Sequence, residues 1–256
     1  MNNYFKFEFK RALFSKNTFL AIIIVLISLI IPCYFGSIIP FPNDDGINFF
    51  IRIGAFLPMS YLPLLAPLIS CIPYSNSYIS DKSSGILKYI YTKIEFREYF
   101  NTKLIVNALV SGLVFLVPQI IMLIILIIFK GINNENMEIV GAFSSIYYNN
   151  KMIYALILIF MQFIFGSVFS TFALGVSAVT ENKYLTIIVP FIYVIITGTV
   201  FEIIGINKLF NFNVVTLFDI SYSASMTGIN IIVHNIAIFL IGMILFYYFG
   251  DKKRYE

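Results

Sequence analysis

Charged residues are scarce in this 256-residue chain, at 12% against about 25% in an average soluble domain. Tryptophan is absent, histidine occurs once and cysteine twice. Two cysteines cannot form a disulfide-rich scaffold, and one histidine cannot supply a multi-histidine metal site. Apolar residues dominate instead, at 59% of the chain with a mean hydropathy of +0.89. This composition excludes an ordinary soluble enzyme and a disordered chain.

The charged residues that are present are segregated along the chain. Six stretches of 18 or more residues contain no Asp, Glu, Lys or Arg. Each can hold one helix across a hydrocarbon layer about 30 Å thick. We therefore predict an all-α integral membrane protein, with six transmembrane helices in a single domain covering 1–256. The predicted spans are about 18–39, 56–78, 104–129, 153–179, 185–206 and 229–250.

The basic residues favour one orientation of these spans. Of 17 Lys and Arg residues, 13 lie before span one, between spans two and three, between spans four and five, or after span six. By the positive-inside rule, this asymmetry predicts a multi-pass protein of the cell membrane with both termini in the cytoplasm. The excess of Lys and Arg over Asp and Glu is then explained by membrane topology, and no nucleic-acid partner is expected.

Two segments outside the spans also carry apolar residues. In 2–17, residues Phe5, Phe9, Ala12 and Leu13 share one helical face, which predicts an interfacial elbow helix resting on membrane lipid. The segment 203–228 is too interrupted for a complete crossing, so it is expected to lie at the outer surface or to form a re-entrant segment before the last span.

A few polar residues within or beside the spans are candidate functional residues. Ser167, Thr171 and Gly175 recur every four residues, a spacing that favours close helix packing, although their hydroxyls could instead line a substrate path. Glu202 is predicted to lie near the outer interface as an anchor, the alternative being a role in guiding a cation. His234 is expected to be an interfacial histidine rather than a metal ligand.

Catalytic and nucleotide-binding motifs are missing from the sequence. It contains neither a Gly-x-x-x-x-Gly-Lys-Ser/Thr loop nor a His-Glu-x-x-His or Gly-x-Ser-x-Gly sequence. The chain is therefore not expected to be an enzyme or to bind a cofactor or metal directly. If it moves a solute uphill, the energy is expected to come from another polypeptide.

The longest predicted cytoplasmic loop, 80–103, carries a pattern of its own. Five apolar residues fall on one helical face, which predicts a short amphipathic helix at the membrane base. Such a helix can rest on lipid or dock into a groove of a soluble partner. The five residues are Ile86, Leu87, Ile90, Tyr91 and Ile94.

This loop resembles the first cytoplasmic loop of type-2 ABC transporter permeases. The resemblance lies in Asp81, four residues before Gly85, in Arg97, twelve after that glycine, and in Lys103 at the start of the next span. The layout also resembles that family, with a counterpart of its elbow helix at 2–17 and of its re-entrant segment at 203–228.

The resemblance implies a mechanism and a set of partners. It implies the permease subunit of a bacterial ABC exporter, paired with a second or homologous permease and driven by a separate P-loop ATPase that holds ATP and Mg²⁺. Antimicrobial-peptide or lantibiotic immunity and multidrug export are the related functions. An ion-coupled or passive carrier and a non-transport membrane scaffold remain alternatives. The ATPase-docking residues implied are Asp81, Gly85, Ile86, Leu87, Ile90, Tyr91, Ile94 and Arg97.

Overall fold

The computed structural model describes residues 2–38, 44–54, 60–133, 135–208, 210–221 and 227–252. The end of predicted span one, the start of predicted span two at 56–59, part of the segment 203–228 and the basic residues after 252 lie outside these ranges. The described residues are almost entirely helical and contain no β-strand. An all-α fold is therefore confirmed.

The described residues form thirteen α-helices, α1 to α13 in chain order. A π-helical turn, Ile196–Val200, joins α10 to α11, and a 3₁₀ turn, Ile206–Lys208, follows α11. The helices are α1 Asn2–Leu13, α2 Lys16–Ile38, α3 Gly46–Gly54, α4 Leu62–Cys71, α5 Ser77–Ser83, α6 Ile86–Tyr91, α7 Phe96–Lys130, α8 Ser144–Asn149, α9 Lys151–Thr180, α10 Lys183–Ile195, α11 Phe201–Ile204, α12 Val214–Phe218 and α13 Gly228–Lys252.

Five helical stretches in the described ranges are long and apolar enough to cross a membrane, which supports a multi-pass membrane protein. They match predicted spans one, three, four, five and six. The one clear difference in bounds is α7, which starts eight residues before the predicted third span. The five stretches are Lys16–Tyr34, Phe96–Lys130, Lys151–Thr180, Lys183–Ile204 and Gly228–Gly250.

Predicted span two is not one continuous helix in the described residues. Its regular part, α4, has 10 residues and is about 15 Å long, too short to cross the hydrocarbon alone. Pro63 lies in the first turn of α4, where the missing N–H costs nothing, and the helix ends two residues before Pro73. The six-span count therefore stays a prediction.

The chain nevertheless passes between the two ends of the bundle in this region. At one end, Gly46 N–H donates to Gly131 O at 2.9 Å, which places the start of α3 beside the end of α7. At the other end, Asp81 of α5 contacts Arg11 of α1. The polypeptide between α3 and α5 thus runs from one end to the other by way of the short helix α4.

The first and last helices meet the same end of the bundle. The Tyr247 hydroxyl of α13 donates to Asn101 Oδ1 near the start of α7, and the Phe246 ring lies 4.5 Å from that of Phe100. Because α1 also packs against the first part of α7, we call this the terminal end. Sequence-based topology predicts that it faces the cytoplasm.

The apolar face of α1 lies on protein. Phe5, Phe9 and Leu13 pack against a buried group that includes Tyr74 and Val106. An amphipathic helix at 2–13 is present as expected, and these three side chains are partly buried against the bundle. Its role as an elbow helix resting on lipid stays a prediction.

Helix α9 lies at the centre of the bundle, against α7, α10, α13 and α4. Its contact with α13 is very close, because a Cβ atom added to Gly175 would lie 2.4 Å from Gly242 O. A glycine is therefore required there for the two backbones to approach, as small residues permit in membrane helices.

Candidate functional site

A buried ion-pair cluster at the terminal end joins three helices. Lys103 Nζ of α7 lies 2.6 Å from Asp81 Oδ2 of α5 and 2.8 Å from Glu8 Oε2 of α1. All three side chains are at most 1% exposed. Arg11 completes the cluster, 2.9 Å from Asp81 Oδ1 and 3.3 Å from Glu8 Oε1. Two buried carboxylates thus face one buried cation, Lys103, and one cation whose side chain is 38% exposed, Arg11.

Two tyrosines add hydrogen bonds to the cluster. Tyr99 O–H donates to Asp81 Oδ2 at 3.0 Å, and Tyr74 O–H donates to Glu8 Oε2. Lys103 Nζ also donates to the Tyr74 hydroxyl at 2.9 Å and lies 5.5 Å from the centre of the Tyr99 ring. These bonds use the remaining lone pairs and protons, the condition under which a buried ion pair is tolerated.

The electrostatics of the cluster favour its charged form. Burial by itself would raise the pKa of the Asp81 carboxyl, but Lys103 and Arg11 outweigh it, and the pKa lies below its ordinary value. Burial lowers the pKa of Arg11, while Asp81 and Glu8 raise it to a higher net value. Burial, followed by the negative charges of Glu8 and Asp81, raises the pKa of Tyr4 on α1. The surrounding charges therefore favour the charged forms of Asp81 and Arg11.

The loop 80–103 is built on this cluster. Asp81 is 0% exposed, so it positions α5 rather than presenting a contact surface. Gly85 has φ +72°, a left-handed conformation that a glycine adopts without strain, and it turns the chain from α5 into α6.

The predicted apolar stripe on α6 lies partly against the protein interior and partly at the exposed surface. Leu87, Ile90 and Tyr91 pack against the buried aromatic group that contains Tyr78, Tyr99 and Phe100.

The opposite side of α6 is exposed. Ile86 is 47% exposed and Tyr89 75%, while Ile94 is half-buried and Arg97 is exposed. The surface available to a partner on this loop thus centres on Ile86 and Tyr89. Tyr89 was not among the docking residues predicted from sequence.

A second ion pair connects this loop to the next loop at the same end. Lys82 Nζ lies 2.7 Å from Glu181 Oε1, just beyond the end of α9. Both side chains are about one-third exposed, so the pair contributes little to stability by itself. It does fix the position of α5 relative to the end of α9.

The three residues predicted to pack helices contact different neighbours. Ser167 O–H donates to Ala108 O of α7 at 2.8 Å, whereas Gly175 faces α13. Thr171 is buried and its O–H donates to Ser167 O in the same helix at 2.8 Å. They therefore lie on two interfaces inside the bundle.

Glu202 and His234 lie in different surroundings. Glu202 is exposed on α11 and accepts a hydrogen bond from Asn207 Nδ2 at 3.1 Å. His234 is 2% exposed, and its Nε2 is hydrogen-bonded to the Tyr193 hydroxyl at 2.7 Å. His234 thus joins α13 to α10 within the protein and is not at an exposed interface.

Another polar group lies at the end of the bundle opposite the terminal end. Lys151 Nζ is 2.7 Å from Asp45 Oδ2 and donates to the backbone carbonyls of Asn133 and Glu135 at 2.8 and 2.9 Å. A cavity of about 320 Å³ adjoins it, lined mainly by asparagines and tyrosines. This group connects the loop before α3, the loop after α7 and the start of α9.

Sequence reasoning missed most members of the ion-pair cluster. Glu8 is the first acidic residue in the chain and the next is Asp44, so an isolated acid on an otherwise basic helix was an available signal. Asp219 lies in the segment 203–228, which was expected at the outer surface or as a re-entrant segment; it is 8% exposed and follows the buried helix α12. Within the described ranges, no group of three or more His, Cys, Asp or Glu side chains could hold a metal ion.

Comparisons of the chain with protein-family models, with curated proteins and with solved structures find no match.

Proposed function

We propose that this chain is the permease subunit of an ATP-driven exporter in the cell membrane. The observation that carries the proposal is the ion-pair cluster, since it joins the first cytoplasmic loop to α1 and α7 through buried contacts. A force applied to α6 would reach α5 by way of Gly85 and pass to Lys103 through Asp81. The arrangement suits a subunit whose helices are displaced by a partner bound on the cytoplasmic side.

The exposed face of α6 is the proposed docking surface for a separate P-loop ATPase. Ile86 and Tyr89 form its apolar part, and Lys88, Lys93 and Arg97 are exposed around them. An ATPase groove with apolar and acidic side chains would complement this surface. In this proposal ATP and Mg²⁺ bind only to the ATPase, and two permease copies, or this chain and a homologous permease, form the pathway.

The remaining features of the family layout belong to the same proposal. Helix α1 acts as the elbow helix, the passage from α3 to α5 acts as the second of six spans, and 203–228 acts as the re-entrant segment. The cargo is hydrophobic or amphipathic, in the class of antimicrobial peptides and drugs. Apolar residues dominate the faces between the long helices, which suits such a cargo.

Reconstitution in vesicles tests the proposal. The chain and a partner P-loop ATPase should together export a labelled amphipathic peptide when ATP is added, and the chain alone should not. The double variant Ile86→Asp/Tyr89→Asp should lose ATP-dependent export and co-purification with the ATPase. Val140→Asp, at an exposed residue of the loop after α7, should retain both. Normal export by the double variant would contradict docking at α6.

The placement of Asp219 favours a second candidate, an ion-coupled carrier. Buried acidic residues in membrane proteins commonly mark ion or proton pathways. In this case the chain alone should accumulate a solute when an ion gradient is imposed, without ATP or a second subunit. The same vesicles therefore distinguish the two candidates.

A further inference from the structure

Two glutamines lie at matching depths in the middle of the bundle. Gln119 of α7 lies 11 residues before Lys130, and Gln162 of α9 lies 11 residues after Lys151. Each is therefore about 16 Å from the end of the bundle where Lys130 and Lys151 lie. Gln119 is 0% exposed and Gln162 is 6% exposed.

Their carboxamides lack the partners that buried polar groups normally have. Among the described residues, neither Oε1 nor Nε2 of Gln119 has a hydrogen-bond partner, and neither does Oε1 of Gln162. An unsatisfied buried polar group costs about 1–3 kcal/mol, and such groups in native proteins usually contact water or an ion. Two of the three atoms are acceptor oxygens, one on each glutamine, which indicates that a group able to contact both oxygens binds between the side chains.

Both glutamines line a small cavity that Asp219 and Ser221 also line. Asp219 Oδ1 accepts hydrogen bonds from the Ser221 hydroxyl at 2.5 Å and from its N–H at 3.2 Å. The cavity is held in place by Phe218, whose ring packs against those of Phe115 and Phe165 at 5.7 and 5.0 Å.

The oxygen atoms and the size of the cavity together restrict the ligand. Carboxylate and carboxamide oxygens are ligands of hard cations. The cavity volume is about 10 Å³, close to that needed for one water molecule. Ca²⁺ needs six to eight oxygens and Mg²⁺ retains several waters, so neither fits. The cavity lining holds one carboxylate, that of Asp219, which balances a single positive charge, and a sodium ion is smaller than a water molecule, so this monovalent cation fits.

We propose that Gln119, Gln162 and Asp219 form a binding site for one sodium ion, buried between α7, α9 and the segment after α12. The ion gives the carboxamide oxygens a partner and fixes α7 relative to α9. This site is independent of the ATPase-docking proposal, because it concerns equilibrium binding by the chain alone.

Thermal unfolding of the purified protein in lipid nanodiscs tests the site. The midpoint is compared in sodium chloride, potassium chloride and choline chloride at one total salt concentration, which removes general salt effects. Sodium at about 100 times its dissociation constant should raise the midpoint by about 5–10 °C, because only the folded protein binds it. Equal midpoints in the three salts would overturn the proposal and leave water as the occupant.

Variants show whether the effect arises at this site. Gln119→Leu and Asp219→Asn should abolish the sodium-dependent shift. Gln119→Leu should fold, since it removes a buried group with no described partner. Ser111→Ala is the matched control, because Ser111 is equally buried on α7 and its hydroxyl is also unpartnered, but it does not line the cavity. A sodium shift that persists in Gln119→Leu would also overturn the assignment.

Discussion

Lys103 Nζ lies 2.6 Å from Asp81 Oδ2, and solvent reaches neither side chain. The pair joins α7 to α5, and Glu8 extends it to α1. Three helices, the first of them far from the other two in sequence, thus meet at a single ammonium group. The first two predictions follow from this arrangement.

Lys103→Met should destabilise the protein strongly. It would leave Glu8 and Asp81 buried with only Arg11 as a cationic partner, and removing one partner of a buried ion pair typically costs about 3–5 kcal/mol. The measurement is the unfolding midpoint in detergent. Lys93→Met, at an exposed residue of the same loop, should change stability by less than about 0.5 kcal/mol. Similar midpoints for the two variants would argue against a structural role for the cluster.

The folded protein should lose stability at low pH, partly because Asp81 becomes protonated. Its pKa is lower in the folded protein than in the unfolded chain, so its contribution to stability is present above about pH 4 and is lost as pH falls through the folded pKa. Asp81→Asn should be less stable at neutral pH and should lose less stability between pH 5 and pH 3. Parallel stability curves for the two proteins would contradict this assignment.

Gly175→Ala should force α9 and α13 apart. The added Cβ would lie 2.4 Å from Gly242 O, and overpacking of this kind costs about 1–3 kcal/mol. Gly198→Ala is the matched control, since its Cβ would lie 3.5 Å from the nearest atom, Asn213 Oδ1. Unfolding midpoints should separate the two variants, and an equal loss in both would point to a general effect of helix glycines.

Tyr193→Phe should destabilise the contact between α10 and α13. The change leaves His234 Nε2 buried without its partner at 2.7 Å, at an expected cost of about 1–3 kcal/mol. Tyr184→Phe, on the same helix and 78% exposed, should have no measurable effect. Thermal unfolding again provides the measurement, and unchanged stability of Tyr193→Phe would show that this hydrogen bond contributes nothing.

The sequence was most informative about the long helices. Predicted span four, 153–179, is found as α9, Lys151–Thr180, because charge-free length is a local property that a bilayer requires. The same criterion placed the start of the third span too late. Arg97 and Glu98 excluded the first turns of α7, although a helix can continue beyond the apolar layer.

Tertiary contacts could not be predicted from the same pattern. Glu8 lies more than 70 residues before Asp81 and Lys103 in the chain, and no periodicity relates the three. Asp219 is flanked by apolar residues that suit either a surface segment or a buried one, so its depth depends on packing against α7 and α9. The amphipathic pattern of α6 was visible, but it does not show which side the protein itself covers.

The length of α7 has a mechanical consequence. At 35 residues it is about 52 Å long, well beyond a hydrocarbon layer of about 30 Å. Pro118 removes one backbone hydrogen bond from its interior and creates a pliable point in an otherwise stiff rod. When one tip of such a rod is displaced, the other swings the opposite way about that pivot. Gln119 is the residue next to Pro118, so the cation proposed to bind there would restrain α7 where it lacks a backbone hydrogen bond.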